Sequence, residues 1–203
     1  DTIRYHMAGK NPAIVFRPLN HTVMKTKKMF IFGLLLFVVT ICLAKEKSDK
    51  TKPPRTNLHV AVIQGNLKAV QQHIAAGTDL NEKEPENGST PLISAAALGK
   101  PKVAKALIDA GADLNLKNND GSTSLISAAF LCRTEIVKML LDKGADKTLT
   151  NNSGSTALQS VQAPFEAVKP IYEHIQTALA PLGFRLDLND VETTRPVMAK
   201  LLQ

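Results

Sequence analysis

The sequence predicts an all-α fold in which helix-turn-helix units stack along one direction, and three observations lead to this fold class. The 203 residues contain no Trp and only 4% aromatic residues, which favours helices that pack through small side chains. A phrase that begins with Thr recurs at spacings of 34, 33 and 33 residues, at Thr56, Thr90, Thr123 and Thr156. Two glycine phrases keep the same period, at Gly77, Gly111 and Gly144, and at Gly88, Gly121 and Gly154. Three markers that share one period are the signature of a repeat protein.

The first helix of a unit is clearest in residues 90–122. Thr90 is a good N-cap, and the Pro that follows it fits the first helical position, where no N–H is needed. Leu92, Ala95 and Ala96 then fall on one face of a helix. Gly99 suits the left-handed residue that ends such a helix. We therefore predict a short helix whose small residues let the neighbouring unit approach closely.

A second helix follows in the same unit. Val103, Leu107 and Ile108 form its inner face, and Gly111 ends it. The polar stretch ADLNLKNNDGS, residues 112–122, then makes the turn into the next unit. One such unit cannot bury both of its apolar faces alone, so the units must stack.

These features strongly resemble the ankyrin repeat. The matching residues read STPLISAA, LG, V and ALIDAGADLN between Ser89 and Asn115. The resemblance covers Thr56 to Leu188 and implies a solenoid of about four units, at 56–89, 90–122, 123–155 and 156–188. Ile93 and Ile126 stand where the family usually has His, whereas His59 keeps that His in the first unit.

The end of the chain departs from the regular repeat. Six additional residues lie between the Thr and the final glycine of the fourth unit, and apolar residues four apart predict a longer second helix there, at Ile171, Ile175 and Leu179. We predict that residues 189–203 form a helical cap over the open end of the stack, with Pro196 at the start of its helix. This ending is similar to that of other exported bacterial ankyrin proteins.

The first 55 residues do not show the repeat. From Met24 the chain combines a lysine-rich start, a twelve-residue apolar run at Phe30–Ile41 and Ala44, which is the arrangement of a signal peptide. We interpret the segments as a non-native upstream extension, a signal peptide cleaved after Ala44, and a flexible linker, at 1–23, 24–44 and 45–55. The alternative for the leader is a retained membrane anchor, although its apolar run is shorter than the ~20 residues of a spanning helix.

The charge distribution argues against a nucleic-acid partner. The chain carries a net charge of +7, and residues 1–44 contribute +5 of it. A nucleic-acid-binding protein normally carries its basic excess on the folded domain. We therefore expect no nucleic-acid partner, and no membrane contact once the signal peptide is removed.

The sequence contains no recognisable catalytic or metal-binding motif. The histidines of the predicted mature chain (His59, His73 and His174) and the lone Cys132 lack the spacing of metal ligands or of a nucleophile with its base. We therefore expect no catalytic residues, no metal and no cofactor.

The family resemblance implies that a partner contacts the open concave side of the stack and its loop tips. The concave positions are Ile63, Gln64, Ala97, Leu98, Phe130 and Leu131. The tip positions are Glu86, Asn87, Ser89, Asn119, Asp120, Ser122, Asn152, Ser153 and Ser155. Several concave positions are apolar, and soluble proteins seldom leave such a row exposed without use. The alternative is that the lengthened fourth unit folds over this row and covers it.

The predicted function is a non-catalytic protein-protein interaction module that is exported, either periplasmic or secreted, and monomeric. Two alternatives come from other classes. One is an enzyme with an unrecognised site, and the other is an architectural protein of the envelope that stays anchored to a membrane.

Overall fold

The computed structural model describes residues 52–203, and the proposed upstream extension, the signal peptide and most of the linker lie outside them. Six helices form the first three units: α1 (Leu58–Ile63), α2 (Leu67–Ala75), α3 (Pro91–Ala97), α4 (Pro101–Asp109), α5 (Ser124–Phe130) and α6 (Thr134–Asp142). The remainder contains α7 (Ala157–Gln162), α8 (Phe165–Leu179), a 3-10 turn (Ala180–Leu182) and α9 (Leu188–Leu202). All regular structure in residues 52–203 is helical, which confirms the predicted fold class. In that part of the chain, none of the helices has the length and apolar character needed to cross a membrane.

The repeated Thr residues cap the first helix of their units, as predicted. The side-chain oxygens of Thr90, Thr123 and Thr156 each accept a hydrogen bond of 3.3 Å from the backbone N–H three residues later. Each such bond satisfies one of the helix's free N–H groups. The first unit differs, because Asn57 rather than Thr56 caps α1.

The core is one continuous cluster that runs through the stack. The first helices (α1, α3, α5 and α7) pack against one another in a row, and the second helices (α2, α4 and α6) form a parallel row behind them. Leu92, Ala95, Ala96 and Leu107 are completely buried, in agreement with their predicted inner faces. Burial of one leucine contributes about 1.5–3 kcal/mol. The alanines let successive first helices approach closely.

The fourth unit is built differently from the prediction. Ala157 and Val161 of α7 continue the main core, but the helix that packs beside them is α9, through Met198 and Leu202. The sequence predicts the second helix of this unit in the segment before Gly183, but that segment forms α8. Residues 189–203 therefore do form a terminal helix, and this helix takes the position of a second repeat helix.

Helix α9 also begins earlier than the predicted start at Pro196. Asp187 caps it, because its Oδ1 accepts hydrogen bonds from the backbone N–H groups of Asn189 (2.9 Å) and Asp190 (3.3 Å). Pro196 lies inside the helix. A carboxylate at a helix N-terminus both caps it and favours its dipole, which explains why the helix extends back to Leu188.

Helix α8 packs on the concave ends of the first helices, where a second cluster forms. Its members Val168 and Tyr172 are buried with Leu131 and Phe184. Ala97 and Leu98 from the second unit pack against this cluster, together with Phe130, Cys132 and residues of the C-terminal segment. The lengthened fourth unit thus folds over part of the concave side, which is the alternative that the sequence left open.

A chain of buried hydrogen bonds holds α8 in place. The Tyr172 hydroxyl donates to the carbonyl of Phe130 (2.7 Å), and Arg195 Nη1 of α9 donates to the same hydroxyl (2.6 Å). Arg195 Nη2 donates to the carbonyl of Ala163 (2.6 Å). The Tyr172 ring stacks on Phe130 with a centroid distance of 4.6 Å. Three separate segments of the chain are therefore joined through one tyrosine and one arginine.

Candidate functional site

A groove of about 500 Å³ lies between α8 and the concave face of the second and third units. Its floor is apolar and includes Ile93, Ala97, Ile126 and Phe130. The loop tips form one polar rim, and α8 forms the opposite wall. The groove therefore suits an apolar side chain whose backbone can hydrogen-bond to a polar edge.

The floor depends on two isoleucines that the sequence analysis did not select as site residues. Ile93 and Ile126 are each only 3% exposed, and they lie in the first turn of α3 and α5, just after the capping Thr. Both stand where the ankyrin repeat usually has His. This replacement could have identified the two residues as site residues from the sequence alone, because it puts an apolar side chain in place of a polar one at the same position of two successive units.

The wall depends on α8, which the sequence predicted as a helix but not as part of the site. Ile171, Ile175 and Leu179 line the groove at spacing four, and His174 lies beside them. Ile171 is 48% exposed, so its side chain is accessible from the groove. Its exposure marks an apolar surface that is free to contact another molecule.

The polar rim is held rigid by side chains within each tip. Asn118 Oδ1 accepts from the backbone N–H groups of Asp120 (3.1 Å) and Ser122 (2.8 Å). Asn151 Oδ1 does the same with the N–H groups two and four residues later, at 3.0 and 2.9 Å. Such Asx turns fix the backbone before any partner binds. Asn118 and Asn151 were not among the predicted tip residues, although they line the groove.

Hydrogen bonds between successive tips occupy part of the predicted contact surface. The Asn119 N–H donates to the carbonyl of Asn87 (2.9 Å), and the Asn152 N–H donates to the carbonyl of Asp120 (3.0 Å). Asn152 Nδ2 also donates to the carbonyl of Asn119 (2.9 Å). The main structural role of Asn119 and Asn152 is therefore to link successive units.

The structure brings about half of the predicted partner-contacting residues together in the groove. Seven line it: Asn87, Ser89, Ala97, Asp120, Ser122, Phe130 and Leu131. Ile63 and Leu98 line a separate cavity beyond α8. The others lie outside both spaces: Gln64, Glu86, Asn119, Asn152, Ser153 and Ser155. The role of these residues in binding a partner stays a prediction.

Three predicted contact residues are less exposed than the sequence analysis expected. Leu131 is only 5% exposed, because Tyr172 and Val168 of α8 cover it. Phe130 is half-buried in its stack on Tyr172. Ser89 is 5% exposed, and its backbone is tied into the tip by the N–H bond to Asn87 Oδ1 (2.8 Å). Phe130 and Leu131 are therefore structural residues at least as much as surface residues.

Cys132 occupies the left-handed position that glycine holds in the first two units, at Gly65 and Gly99. Its φ is +55°, close to the +63° of Gly99, and it is the one non-glycine residue with positive φ among residues 52–203. The turn is thus kept despite the steric cost of roughly 1–2 kcal/mol. Burial raises the pKa of the Cys132 thiol to about 11, against the opposing effect of Arg195 and Arg133. At neutral pH the thiol is protonated and a poor nucleophile.

The histidines of the first unit have structural partners. His59 Nε2 hydrogen-bonds the carbonyl of Glu82 (2.9 Å), and His73 bridges the Thr56 carbonyl (2.6 Å) and Thr78 Oγ1 (3.1 Å). Within residues 52–203, no group of three His, Cys, Asp or Glu side chains is arranged to hold a metal ion.

Comparison with known proteins agrees with this architecture. A family model described as "Ankyrin repeats (3 copies)" matches residues 58–160, which is half of the chain. The chain belongs to the ankyrin-repeat family. The match ends within α7, so that the inserted helix α8 and the terminal helix α9 lie outside the part that the family model covers.

Several known proteins are similar to a part of this chain. Protein phosphatase 1 regulatory subunit 27 of Mus musculus is 41% identical over 63 residues, which is 31% of this chain and 40% of the relative. The DNA-binding protein RFXANK of Homo sapiens is 37% identical over 57 residues, or 28% of this chain and 22% of the relative. The crystal structure of the ankyrin repeat domain of Bcl-3 is 31% identical, with a TM-score of 0.49, and covers 51% of this chain and 45% of that one. Each match spans less than half of the relative's own length.

Proposed function

We propose that this chain is a non-catalytic, monomeric protein-binding module that acts outside the cytoplasm and receives a segment of its partner in the groove beside α8. The observation that carries the proposal is the groove itself, with its buried isoleucine floor, its rigid polar rim and the exposed Ile171 on its wall. Apolar burial in such a groove supplies affinity, and the preformed rim lowers the entropy lost on binding.

The relatives support binding rather than catalysis. The mouse and human phosphatase relatives are named as regulatory subunits and not as enzymes. A DNA-binding role, as in the name of RFXANK, does not fit the charge distribution of this chain. Five of its seven net positive charges lie in residues 1–44, before the repeats begin, so the repeats lack the basic excess of a nucleic-acid-binding domain.

The leader supports a location outside the cytoplasm. Residues 24–44 combine the lysine-rich start, the short apolar run and the small residue at the cleavage position that a signal peptide requires. We therefore propose that the partner is an exported protein and that the repeats meet it in the periplasm or outside the cell.

The substitution Ile171→Asp tests the groove. We expect partner affinity to fall by about ten- to a hundredfold, because an apolar contact of roughly 1.5–3 kcal/mol is replaced by a charge. The fold should be retained, since Ile171 is half exposed and such surface changes usually alter stability little. Affinity is measured by titrating the full chain against the protein that it captures from the exported fraction of its source cells.

A matched control comes from α9. Val197 is 54% exposed, is also apolar and helical, and does not line the groove. Val197→Asp should bind the partner as the unmodified chain does. Equal affinity for all three proteins, or an equal loss in both variants, would contradict the proposed use of the groove.

A further inference from the structure

A second cavity, of about 280 Å³, lies on the other side of the C-terminal segment that covers the concave face. It opens at the turns that join the first and second helices of the units. One side is apolar and is formed by Ile63, Leu98 and Leu182. Leu182 is 50% exposed there. This cavity thus offers an apolar surface at a place where the repeats meet the 3-10 turn.

The remaining side of this cavity is positively charged. Lys100, Arg133 and Arg185 line it, and no acidic residue of the described chain does. The two salt bridges found in residues 52–203 both involve Asp109, and neither includes a residue of this cavity. Three cations therefore share a small space without a carboxylate within bridging distance, an arrangement that favours an anion.

Two of these cations stand at helix N-termini, where a positive charge is unfavourable. Lys100 is the N-cap residue of α4, and Arg133 is the N-cap residue of α6. No side chain of residues 52–203 caps either helix. The first unit has Asn66 at the equivalent place, and its side chain accepts a hydrogen bond from Ala69 N–H (3.1 Å). The free N–H groups and positive dipole ends of α4 and α6 add to the positive potential of the cavity.

Arg133 is the most constrained of the three cations. Its guanidinium lies 5.3 Å from the centre of the Phe184 ring, and its side chain covers Gly99. Its Nε is buried without a hydrogen-bond acceptor anywhere in the described chain. Burial lowers the pKa of Arg133, and the nearby Cys132 and Asp190 oppose this effect. Arg133 is thus a half-buried cation, and a cation that is partly withdrawn from water is costly unless an anion pairs with it.

We propose that this cavity is an anion subsite that receives a carboxylate side chain from the partner protein, flanked in the partner by apolar residues that contact Leu98 and Leu182. The inference rests on the proposed function and adds the chemistry of the partner segment. The carboxylate accepts charge-assisted hydrogen bonds from Lys100 and Arg133, which are stronger than neutral ones. It also offsets the two cations at the helix N-termini.

The test uses the full chain and three probes: the peptide N-acetyl-Leu-Asp-Leu-amide, its Asn analogue, and inorganic phosphate. Binding is followed by NMR through the backbone amides of Gly99 and Gly183, which line the cavity. We expect the Asp peptide to shift both amides and to saturate. The Asn peptide should bind at least about tenfold more weakly, because it lacks the charge. If both peptides bind equally, if neither shifts these amides, or if phosphate binds and the Asp peptide does not, the inference is overturned.

The variant Lys100→Asn separates the site from the fold. Asn is the residue that the first unit uses as a cap, so this change should maintain or raise the melting temperature while it weakens the Asp peptide about tenfold. The control Lys138→Gln removes an exposed charge of α6 outside the cavity and should bind the peptide normally. Unchanged peptide affinity in Lys100→Asn would contradict the subsite.

The peptide-binding test of the anion subsite does not depend on whether the partner uses the groove beside α8. Ile171→Asp should bind the peptide as the unmodified chain does. If Ile171→Asp also captured the partner normally, the proposed use of the groove would be wrong while the anion subsite stood. If the peptide failed to bind while Ile171→Asp lost the partner, the subsite alone would be wrong.

Discussion

Tyr172→Ala is expected to lower the free energy of unfolding by about 3–5 kcal/mol, the usual cost of truncating a buried aromatic residue. The ring is fully buried, stacks on Phe130 and lies beside Phe165. Its loss would also leave Arg195 Nη1 and the Phe130 carbonyl without their shared partner. The damage should concentrate in α8, because each unit of a solenoid contacts mainly its neighbours. Urea unfolding measures the free energy, and amide hydrogen exchange locates the change.

Tyr172→Phe is the matched control. It keeps the ring and removes only the hydroxyl, so it should cost about 1–3 kcal/mol through the unpaired donor of Arg195. Exchange in α2 and α4 should stay slow in both variants. If Tyr172→Ala left the unfolding free energy and the protection of α8 unchanged, α8 would not be docked on the concave face in solution.

Gly121→Ala is expected to destabilise the protein by about 2–4 kcal/mol. Gly121 has φ of +73°, which costs a residue with a Cβ roughly 1–2 kcal/mol. A Cβ at this position would also lie 2.7 Å from the backbone nitrogen of Asn152, which belongs to the next tip. The link between the second and third tips would have to shift, and overpacking of this kind adds about 1–3 kcal/mol.

Gly154→Ala provides the comparison, since it isolates the effect of backbone conformation. Gly154 has nearly the same φ, +75°, but no described atom lies within 4 Å of the place of its Cβ. It should therefore lose only the roughly 1–2 kcal/mol that the positive φ costs a residue with a Cβ. Thermal or urea unfolding of both variants decides the point. Equal losses would mean that the tips are not stacked as closely as the structure has them.

The regular part of the fold could be predicted because it depends on local chemistry repeated at a fixed period. Thr90 and Thr123 predict where helices start, because Thr is a good N-cap. The spacing of Leu92 and Ala95 predicts which face of the helix is buried. Gly99 predicted a left-handed residue after the first helix of its unit. In the structure, Cys132 adopts the same left-handed conformation at the equivalent position of the third unit. Each of these features acts within one unit or between adjacent units, so the sequence displays it directly.

The placement of α8 could not be predicted in the same way. Spacing of four residues identified the helix, but both α8 and α9 carry an apolar face, and no local rule states which of them packs beside α7. The choice depends on long-range contacts. Tyr172 reaches Phe130 across 42 residues, and Arg195 reaches Ala163 across 32. Arg195 lies in a polar stretch of sequence and gave no sign that it would be only 3% exposed.

The candidate groove was half predicted for the same reason. Its tip residues, such as Asn87 and Asp120, belong to the repeat and could be selected from it. Its wall, which includes Ile171 and Ile175, belongs to the inserted helix and depends on where that helix docks. Phe130 was selected because its position differs between units, and it does line the groove. The Phe side chain that distinguishes the third unit at this position stacks on Tyr172 within the chain, in addition to lining the groove.

The most direct test of the central claim, that α8 and the repeats together form the partner-binding surface, is site-specific photo-crosslinking. p-Benzoylphenylalanine replaces Ile171 on the wall of the groove in one sample and Val197 on α9 in the other, since both side chains are about half exposed. The two proteins are irradiated with the exported fraction under the same conditions. We predict a crosslinked partner from position 171 and none from position 197. A crosslink from position 197 alone, or equal crosslinks from both, would contradict the claim.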